Sequence, residues 1–360
     1  MEVVQISFLA GLALLVVGAE ALVRGASSLA SSLGMPQLVI GLTIVAYGTS
    51  SPEMAVSVHS SLMSQSSIAI GNIIGSNIFN VLFILGLSAA LSPLVVSSQL
   101  VRLDVPIMIG AAVMALLFGL DGNISRWEGG VLFSGIVGYT IILVKLAIKA
   151  KNSNGEAFES VAGKTFHGRL TWVMDIFLII VGLGLLIQGS RWLVDGAVHI
   201  ARAFRISELV IGLTVVAAGT SLPELATSVV ASLRGKRDIA VGNVVGSNIF
   251  NILAVLGLCG LVSADGVEVS EAANRFDLPF MVAVSVACLP IFFTGNRISR
   301  WEGILFLAYY GFYTCYLVLY ATQDEMLPLF SKVMIAYVAP LTALTLIVLC
   351  YRTVRIGRTR

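Results

Sequence analysis

Eleven apolar stretches, each long enough to cross a lipid bilayer, run along the 360-residue chain. A membrane-spanning helix needs about 20 mostly apolar residues, and the unbroken character of these stretches excludes an outer-membrane β-barrel. Composition agrees, because 57% of the residues are hydrophobic and only 12% are charged, whereas a soluble domain is about a quarter charged. We therefore predict an all-α polytopic membrane protein. The predicted spans are 3–23, 36–63, 68–91, 104–120, 127–149, 171–194, 207–233, 239–262, 276–294, 301–321 and 331–351.

The first stretch has the hydropathy of a secretory signal peptide. Glu2 is the only early charge and no clear cleavage site follows a short apolar core, so we predict a retained first helix. The four cysteines, Cys259, Cys288, Cys315 and Cys350, fall within or at the ends of predicted spans. None forms a CxxC pair, so neither a disulfide framework nor a zinc site is indicated.

The distribution of Lys and Arg predicts the orientation of the chain. If the N-terminus is outside, the loops after odd-numbered helices and the C-terminus hold 16 of the 22 basic residues. Basic residues are enriched in cytoplasmic loops, so we predict an external N-terminus and a cytoplasmic C-terminus. The net charge of +2 says nothing about partners, and no nucleic-acid motif occurs in the sequence.

The chain repeats itself at an offset of 171 residues. VIGLTIVAYGTSSPEMAVSVHSSL at 39–62 returns at 210–233 as VIGLTVVAAGTSLPELATSVVASL, with 17 of 24 positions identical. AIGNIIGSNIFNVLFILGL at 69–87 returns at 240–258 as AVGNVVGSNIFNILAVLGL, with 13 of 19 identical. Packing alone would not keep polar residues identical within apolar helices, so the repeat indicates a functional constraint.

The repeat divides the chain into two halves of five helices each. We predict a first half at 1–150, a cytoplasmic loop at 151–170, a second half at 171–321, and an extra helix with a basic cytoplasmic tail at 322–360. Five is an odd number, so the second half must insert upside down relative to the first. Inverted repeats with helices interrupted at matching positions are typical of secondary transporters with a site at the membrane midplane.

Each half carries a proline inside an apolar stretch, Pro52 and Pro223. Proline lacks an amide hydrogen and crowds the carbonyl four residues back, so the carbonyls of Gly48 and Gly219 lose their helical donors. In lipid such a carbonyl must face protein, water or an ion, and it is a good ligand for a hard cation. Because Gly-Thr-Ser precedes and Glu follows each proline, the pattern favours a binding site over a simple kink.

Polar residues four apart share one face of a helix, and such stripes occur at matching places in both halves. The only full charges in them are Glu53 and Glu224, and a carboxylate within a span is costly and indicates function. Inverted symmetry would bring the two glutamates together, where they repel unless a cation or a proton intervenes. Oxygen ligands without Cys or His suit Ca²⁺ or Na⁺ rather than zinc or copper. The stripes are Thr49, Glu53 and Ser57; Thr220, Glu224 and Ser228; Asn72, Ser76 and Asn80; and Asn243, Ser247 and Asn251.

Weaker repeats follow the two strong ones. Asp104 and Asp277 recur near the starts of the fourth and ninth helices, where a carboxylate can cap a helix or complement its dipole. ISRWEG occurs at 124–129 and again at 298–303, and we interpret its charged residues as interfacial anchors or ion pairs.

GTSSPE at 48–53 and GTSLPE at 219–224, with GNIIGSNIFN at 71–80 and GNVVGSNIFN at 242–251, resemble the two alpha-repeats of the sodium/calcium exchanger family. That family belongs to the calcium/cation antiporter superfamily, and the resemblance covers about 320 residues. It implies two five-helix halves whose second, third, seventh and eighth helices surround the ions, with alternating access. It also implies a multi-pass protein of a bacterial or archaeal plasma (inner) membrane that transports Ca²⁺ and Na⁺. We expect no resident cofactor and no obligate protein partner.

The resemblance implies roles for individual residues. Glu53 and Glu224 would coordinate Ca²⁺ and take part in Na⁺ binding, and Thr49 and Thr220 would lend backbone carbonyls to Ca²⁺. Where some relatives carry an acid in the centre this chain has asparagine twice, so no third carboxylate is available for proton competition. The outer Na⁺ sites would comprise Ala46, Ser50, Ser76, Ala217, Ser221 and Ser247, and the central position would be lined by Asn80 and Asn251.

We therefore predict a secondary antiporter that exchanges Na⁺ for Ca²⁺ at one shared site. H⁺/Ca²⁺ exchange and K⁺-dependent Na⁺/Ca²⁺ exchange are the alternatives within transport, and a cation channel is the alternative from another class. An enzyme is not indicated, because the sequence has no HExxH motif, no GxSxG motif and no paired metal-binding histidines. The loop of about 20 residues is too short for a regulatory Ca²⁺-binding domain.

Overall fold

A computed structural model of the protein describes residues 2–161, 169–203, 217–293, 296–338 and 340. Within these ranges, eight helices are long and apolar enough to cross a membrane. The described helices are α1 (Glu2–Leu33), α2 (Gln37–Thr49), α3 (Ser51–Leu62), α4 (Ser66–Leu91), α5 (Leu100–Gly119), α6 (Arg126–Val161), α7 (Arg169–Ala203), α8 (Ala217–Gly219), α9 (Leu222–Leu233), α10 (Arg237–Val262), α11 (Ala273–Phe292), α12 (Arg300–Thr322) and α13 (Leu327–Val333).

The predicted second and seventh spans are interrupted helices. The second span is divided into α2 and α3, and the described part of the seventh consists of α8 and α9. The beginning of the seventh span, 207–216, lies outside the described residues, as does most of the eleventh, 331–351. Helices α2 and α3 together cover the predicted span 36–63, and the break between them lies at Ser50, just before the proline that predicted it.

Several helices run further than the apolar stretches that predict them. The apolar part of α6, Arg126–Lys149, agrees with the predicted span 127–149, and the helix continues to Val161 within the predicted connection at 151–170. Hydropathy predicts the apolar part of a helix and not where the helix ends. Polar residues such as Glu156 and Lys151 are good helix formers in water.

Glycines seven residues apart bring α1 and α7 into backbone contact. A Cβ added at Gly182 would lie 2.7 Å from the backbone nitrogen of Leu22 and 2.8 Å from the carbonyl oxygen of Gly18. A Cβ added at Gly18 would in turn lie 2.9 Å from the carbonyl oxygen of Gly182. The two helices run antiparallel, because successive glycines of α1 meet α7 in reverse order. The glycines are Gly11, Gly18 and Gly25 on α1 and their repeat equivalents Gly182, Gly189 and Gly196 on α7.

Replacing one of these glycines should separate the two helices. We expect Gly182→Val to lower the free energy of unfolding by about 1–3 kcal/mol, as overpacking of a tight contact does. Gly184→Val is the matched control, because Gly184 is exposed on the same helix with no described atom within 4 Å of an added Cβ. Thermal unfolding in detergent measures both, and equal midpoints for the two variants would contradict this packing role.

Two short antiparallel ladders join the halves. Strand β1 (Leu94–Val95) pairs with β4 (Arg297–Ile298), and β2 (Asn123–Ile124) pairs with β3 (Val267–Glu268). The register is the same in both, since Leu94 faces Ile298 in one ladder and Val267 faces Ile124 in the other. Each ladder takes one strand from each half, so the two repeats are fastened to each other at two places.

The repeated ISRWEG motif has a structural role at the start of two helices. Ser125 donates both its backbone N–H and its hydroxyl to Glu128 at the start of α6, and Ser299 does the same to Glu302 at the start of α12. These are capping boxes, which the Ser-x-x-Glu spacing in ISRWEG produces; the interpretation as interfacial anchors or ion pairs stays a prediction.

The two repeated aspartates bond to tyrosines instead of capping their helices, while their effect on the helix dipole stays a prediction. Asp104 accepts a hydrogen bond from the Tyr139 hydroxyl at 3.0 Å, and Asp277 accepts one from the Tyr313 hydroxyl at 3.2 Å. Asp104 stands at the N-terminus of the regular α-helix of α5 without a capping bond from its side chain. Each aspartate instead joins two helices of its own half.

Candidate ion-binding site

The helix breaks before the two prolines have the same backbone conformation. Helix α2 ends at Thr49, and Ser50 has φ −80° and ψ 8° before α3 begins. Ser221 has φ −89° and ψ 8° before α9 begins. Both prolines then lie in the first turn of the following helix, where the missing amide hydrogen costs nothing. The prediction that the repeated prolines interrupt both helices is confirmed.

Each buried glutamate is held by a serine from the other half. Glu53 and Glu224 are both 0% exposed. The Ser221 hydroxyl donates to Glu53 Oε1 at 2.8 Å, and the Ser50 hydroxyl donates to Glu224 Oε1 at 2.8 Å. These two contacts are repeat equivalents, so the helix breaks of the two halves meet at the carboxylates.

A second pair of contacts crosses between the halves beside the first. The Thr49 hydroxyl donates to Asn243 Oδ1 at 3.1 Å, and the Thr220 hydroxyl donates to Asn72 Oδ1 at 3.1 Å. The amide nitrogens of both asparagines donate to serine hydroxyls of their own halves at 2.9 Å. The predicted polar stripes therefore face one another across the centre of the molecule.

Several buried polar atoms around the glutamates have no hydrogen-bond partner among the described residues. A buried polar atom without a partner costs about 1–3 kcal/mol, and more if it is charged. All but one of these atoms are oxygens, which suits the ligand preference of Ca²⁺ and Na⁺. The atoms are Glu53 Oε2, Glu224 Oε2, Ser247 Oγ, Asn80 Oδ1 and both polar side-chain atoms of Asn251.

The pseudo-twofold symmetry of the site is broken at its edges. Ser221 Oγ lies 3.0 Å from Ser76 Oγ, whereas Ser247, the equivalent of Ser76, has no described partner. Likewise the Asn80 amide donates to Asn248 Oδ1 at 3.0 Å, whereas the equivalent Asn251 is unpartnered. Unsatisfied groups are therefore concentrated on the side of the cage that α10 provides.

The structure brings most of the predicted site residues together. Ala46 is fully buried, and its carbonyl accepts bonds from the Ser50 amide and the Thr49 hydroxyl. Ala217 begins α8, and its side chain lies outside the described structure. The residues that meet directly or lie buried among the unpartnered atoms are Thr49, Ser50, Glu53, Ser76, Asn80, Thr220, Ser221, Glu224, Ser247 and Asn251.

One predicted ligand is already engaged, and two contributing residues were missed. The carbonyl of Gly219, predicted to be free for an ion, accepts a bond from the Ser190 hydroxyl at 2.6 Å. Asn248 bonds across the halves to Asn80, and its equivalent Asn77 is buried with an unpartnered oxygen. Asn77 and Asn248 each follow the serine of the repeated motif directly in the sequence. We missed them because we looked only for polar residues spaced four apart.

Two inverted halves, helices broken at matching positions and a buried polar site shared between them form the architecture of a secondary transporter. Among the described residues, no group of three or more His, Cys, Asp or Glu side chains could hold a metal ion by such ligands alone. The hydroxyl, amide and carboxylate oxygens of the cage are ligands of the kind that hard cations accept.

Comparison with known proteins identifies the family. The sequence profile of the family described as Sodium/calcium exchanger protein matches residues 4–145 and 174–319. Sodium/calcium exchanger MaX1 of Methanosarcina acetivorans is 35% identical over 333 residues, which cover 84% of this chain and 95% of MaX1. Inner membrane protein YrbG of Escherichia coli is 41% identical over 280 residues, which cover 77% of this chain and 84% of YrbG.

Solved structures give the same result. The sodium-calcium exchanger NCX_Mj, soaked with 2.5 mM Na⁺ and 0.1 mM Ca²⁺, matches with a TM-score of 0.72 and 34% identity over 90% of this chain and 98% of that chain. The chain therefore belongs to the sodium/calcium exchanger family. It is a multi-pass membrane cation/calcium exchanger, a transporter and not an enzyme, and the family implies Na⁺ and Ca²⁺ as its transported ions.

Proposed function

We propose that the protein exchanges Na⁺ for Ca²⁺ by alternating access at one site, with Glu53 and Glu224 as its charged ligands. The observation that carries this proposal is the state of the two carboxylates. Both are fully buried, and each has one oxygen bonded to a serine of the other half and one oxygen without a described partner. Two unpartnered carboxylate oxygens in a low dielectric require cations or protons to balance their charge, and one divalent ion balances both charges.

The surrounding atoms favour Ca²⁺ and Na⁺ over other cations. Ca²⁺ takes six to eight oxygen ligands in flexible geometry, and the hydroxyls of Ser50 and Ser221 already lie against the carboxylates. Asn80 and Asn251 add amide groups without adding charge. The names of MaX1 and NCX_Mj as sodium/calcium exchangers support the same ion pair for this chain.

Coupling follows from the shared site. If Na⁺ and Ca²⁺ both require Glu53 and Glu224, they cannot occupy the site together, so Na⁺ crosses in one half of the cycle and Ca²⁺ crosses in the opposite direction in the other half. An empty site leaves two carboxylates that repel each other in a medium of low dielectric constant. The change between the outward-open and inward-open states is therefore unfavourable when no ion is bound. Net exchange then needs no separate coupling element.

The charge distribution supports an orientation. We place the N-terminus outside and the C-terminus in the cytoplasm of a bacterial or archaeal plasma membrane, because 16 of the 22 basic residues then face the cytoplasm. The two functional halves in this proposal are 1–150 and 171–321, with 151–170 as a cytoplasmic connection and 322–360 as an appended helix and tail. Helices α4 and α11 then begin at the external face.

Uptake of ⁴⁵Ca²⁺ into proteoliposomes tests the proposed exchange. Vesicles loaded with Na⁺ should take up Ca²⁺, whereas Na⁺-free vesicles should not, with or without a pH gradient. Uptake driven by a pH gradient alone would replace the proposal with H⁺/Ca²⁺ exchange, and an absolute need for external K⁺, carried inward with Ca²⁺, would make the exchange K⁺-dependent. Uptake indifferent to all three ions would indicate a channel and overturn the shared-site mechanism.

A further inference from the structure

A cavity of about 540 Å³ lies beside the ion-binding site. Its lining includes Asn72 and Thr220, which belong to the site, and also Asp277 with its hydrogen-bond partner Tyr313. Asp277 is the only charged side chain among the described residues that line it. A single carboxylate therefore faces the space through which the site is approached from this side.

Asp277 also borders a second cavity of about 420 Å³. That cavity is lined by Glu271 and Arg275, which form an ion pair at 2.6 Å with side chains 76% and 79% exposed. The half-buried Asp277 thus stands between a solvent-exposed cavity and the cavity at the site. The Tyr313 hydroxyl donates to one carboxylate oxygen of Asp277 at 3.2 Å, and the other carboxylate oxygen has no donor among the described residues.

The repeat supplies an equivalent group at the opposite end of the molecule. Asp104 bonds to Tyr139 at 3.0 Å as Asp277 bonds to Tyr313, but Asp104 is 0% exposed. Both aspartates end a π-helical turn at the start of their helices, at Leu100–Asp104 and Ala273–Asp277. Such turns frequently mark functional positions.

One substitution between the repeats changes the packing beside Tyr139, the hydrogen-bond partner of Asp104. Tyr47 stacks on Phe250 with ring centroids 4.5 Å apart and shares a hydrogen bond of 2.9 Å with Thr140, the neighbour of Tyr139. The repeat equivalent of Tyr47 is the small residue Ala218, and the equivalent of Thr140 is Thr314, which lines the larger cavity. Asp104 is fully buried in this structure, whereas the half-buried Asp277 borders two cavities.

We propose that Asp277 recruits cations at the mouth of the path from one membrane face, and that Asp104 does so from the other face when the protein opens there. The proposal rests on the proposed exchange function. A carboxylate in a cleft with low-dielectric walls focuses the field and raises the local cation concentration. A single acid binds cations too weakly to trap them, so they pass on to the paired glutamates.

Side-resolved kinetics test the proposal in oriented vesicles. We expect Asp277→Asn to raise the KM for external Ca²⁺ roughly threefold to tenfold, with unchanged Vmax and an unchanged KM for internal Ca²⁺. Asp104→Asn should produce the reverse pattern. Because exposed charges are screened by salt, the Asp277→Asn effect should shrink as choline chloride is raised, and Asp277→Glu should restore the KM.

Controls separate this proposal from the function on which it rests. Asp265→Asn removes the same charge from an exposed turn beside β3, outside both cavities, and should leave the KM unchanged. Absence of Na⁺-dependent uptake in the wild type would refute the exchange function itself. An active wild type with an unchanged KM in Asp277→Asn, or an equal rise of KM on both faces, would overturn the recruiting role.

Discussion

Glu53→Gln is expected to reduce Na⁺-driven Ca²⁺ uptake by about two orders of magnitude or more. Removing one partner of a buried charge interaction costs about 3–5 kcal/mol, and every 1.4 kcal/mol corresponds to tenfold. Glutamine keeps the shape of the side chain and still accepts the bond from Ser221, so local packing should survive. The loss of uptake would then report the missing charge and not a collapsed site.

Measurements of protein stability distinguish a missing charge from a collapsed site in Glu53→Gln. Without ions, Glu53→Gln should unfold at a midpoint no lower than that of the wild type, because the variant no longer buries an unpartnered charge. Added Ca²⁺ should raise the wild-type midpoint through binding to the folded state and leave the variant unmoved. Glu268→Gln, on the exposed side of β3, is the matched control and should behave as the wild type in both assays. Normal uptake in Glu53→Gln would remove the centre of the proposed mechanism.

Asn251→Asp is expected to make Ca²⁺ uptake fall as pH rises. The side chain is fully buried and both its polar atoms are unpartnered, so an isosteric carboxyl fits without displacing a bond. When that carboxyl is protonated, the site carries the two charges of the wild type. When it is ionised, the Ca²⁺-loaded site retains a net negative charge that must cross a region of low dielectric, which is costly.

The size of this effect is set by one uncompensated charge. A cost of 1.4 kcal/mol or more corresponds to a difference of at least about tenfold between uptake at low and at high pH, relative to the wild type. Ca²⁺ uptake by the variant and the wild type, measured from low to high pH, checks this difference. Asn296→Asp on an exposed turn is the control for added surface charge. Parallel pH profiles for Asn251→Asp and the wild type would contradict the placement of Asn251 against the transported ion.

Much of the site could be predicted from the sequence because polar residues in an apolar chain have few possible roles. The repeated Glu53 and Glu224 each follow a proline, which predicted two broken helices, and the inverted symmetry of the halves predicted that the two carboxylates meet. The four-residue spacing placed Asn72 and Asn243 on the correct faces, and both bond to threonines across the halves. Because both motifs are repeated, the contact between threonine and asparagine was expected to occur once in each direction between the halves.

The rest of the site depends on helix geometry that spacing does not encode. Helix α4 contains a π-helical segment at Phe79–Leu85, and α10 contains one at Asn251–Leu256. Each widened turn rotates the residues that follow it, so a 3.6-residue period cannot tell where Asn80 and Asn251 point. The broken symmetry is also invisible in the sequence, because Ser76 and Ser247 are identical and yet only one has a partner.

The two ladders bear on how such a chain could have arisen. Strands β1 and β3 are repeat equivalents, as are β2 and β4, and each ladder pairs one member of each set in the same register. One half therefore contains both kinds of strand that a ladder requires. Two copies of that half, inserted in opposite directions, would complete both ladders with each other. The fold thus preserves the geometry of a dual-topology homodimer within a single fused polypeptide.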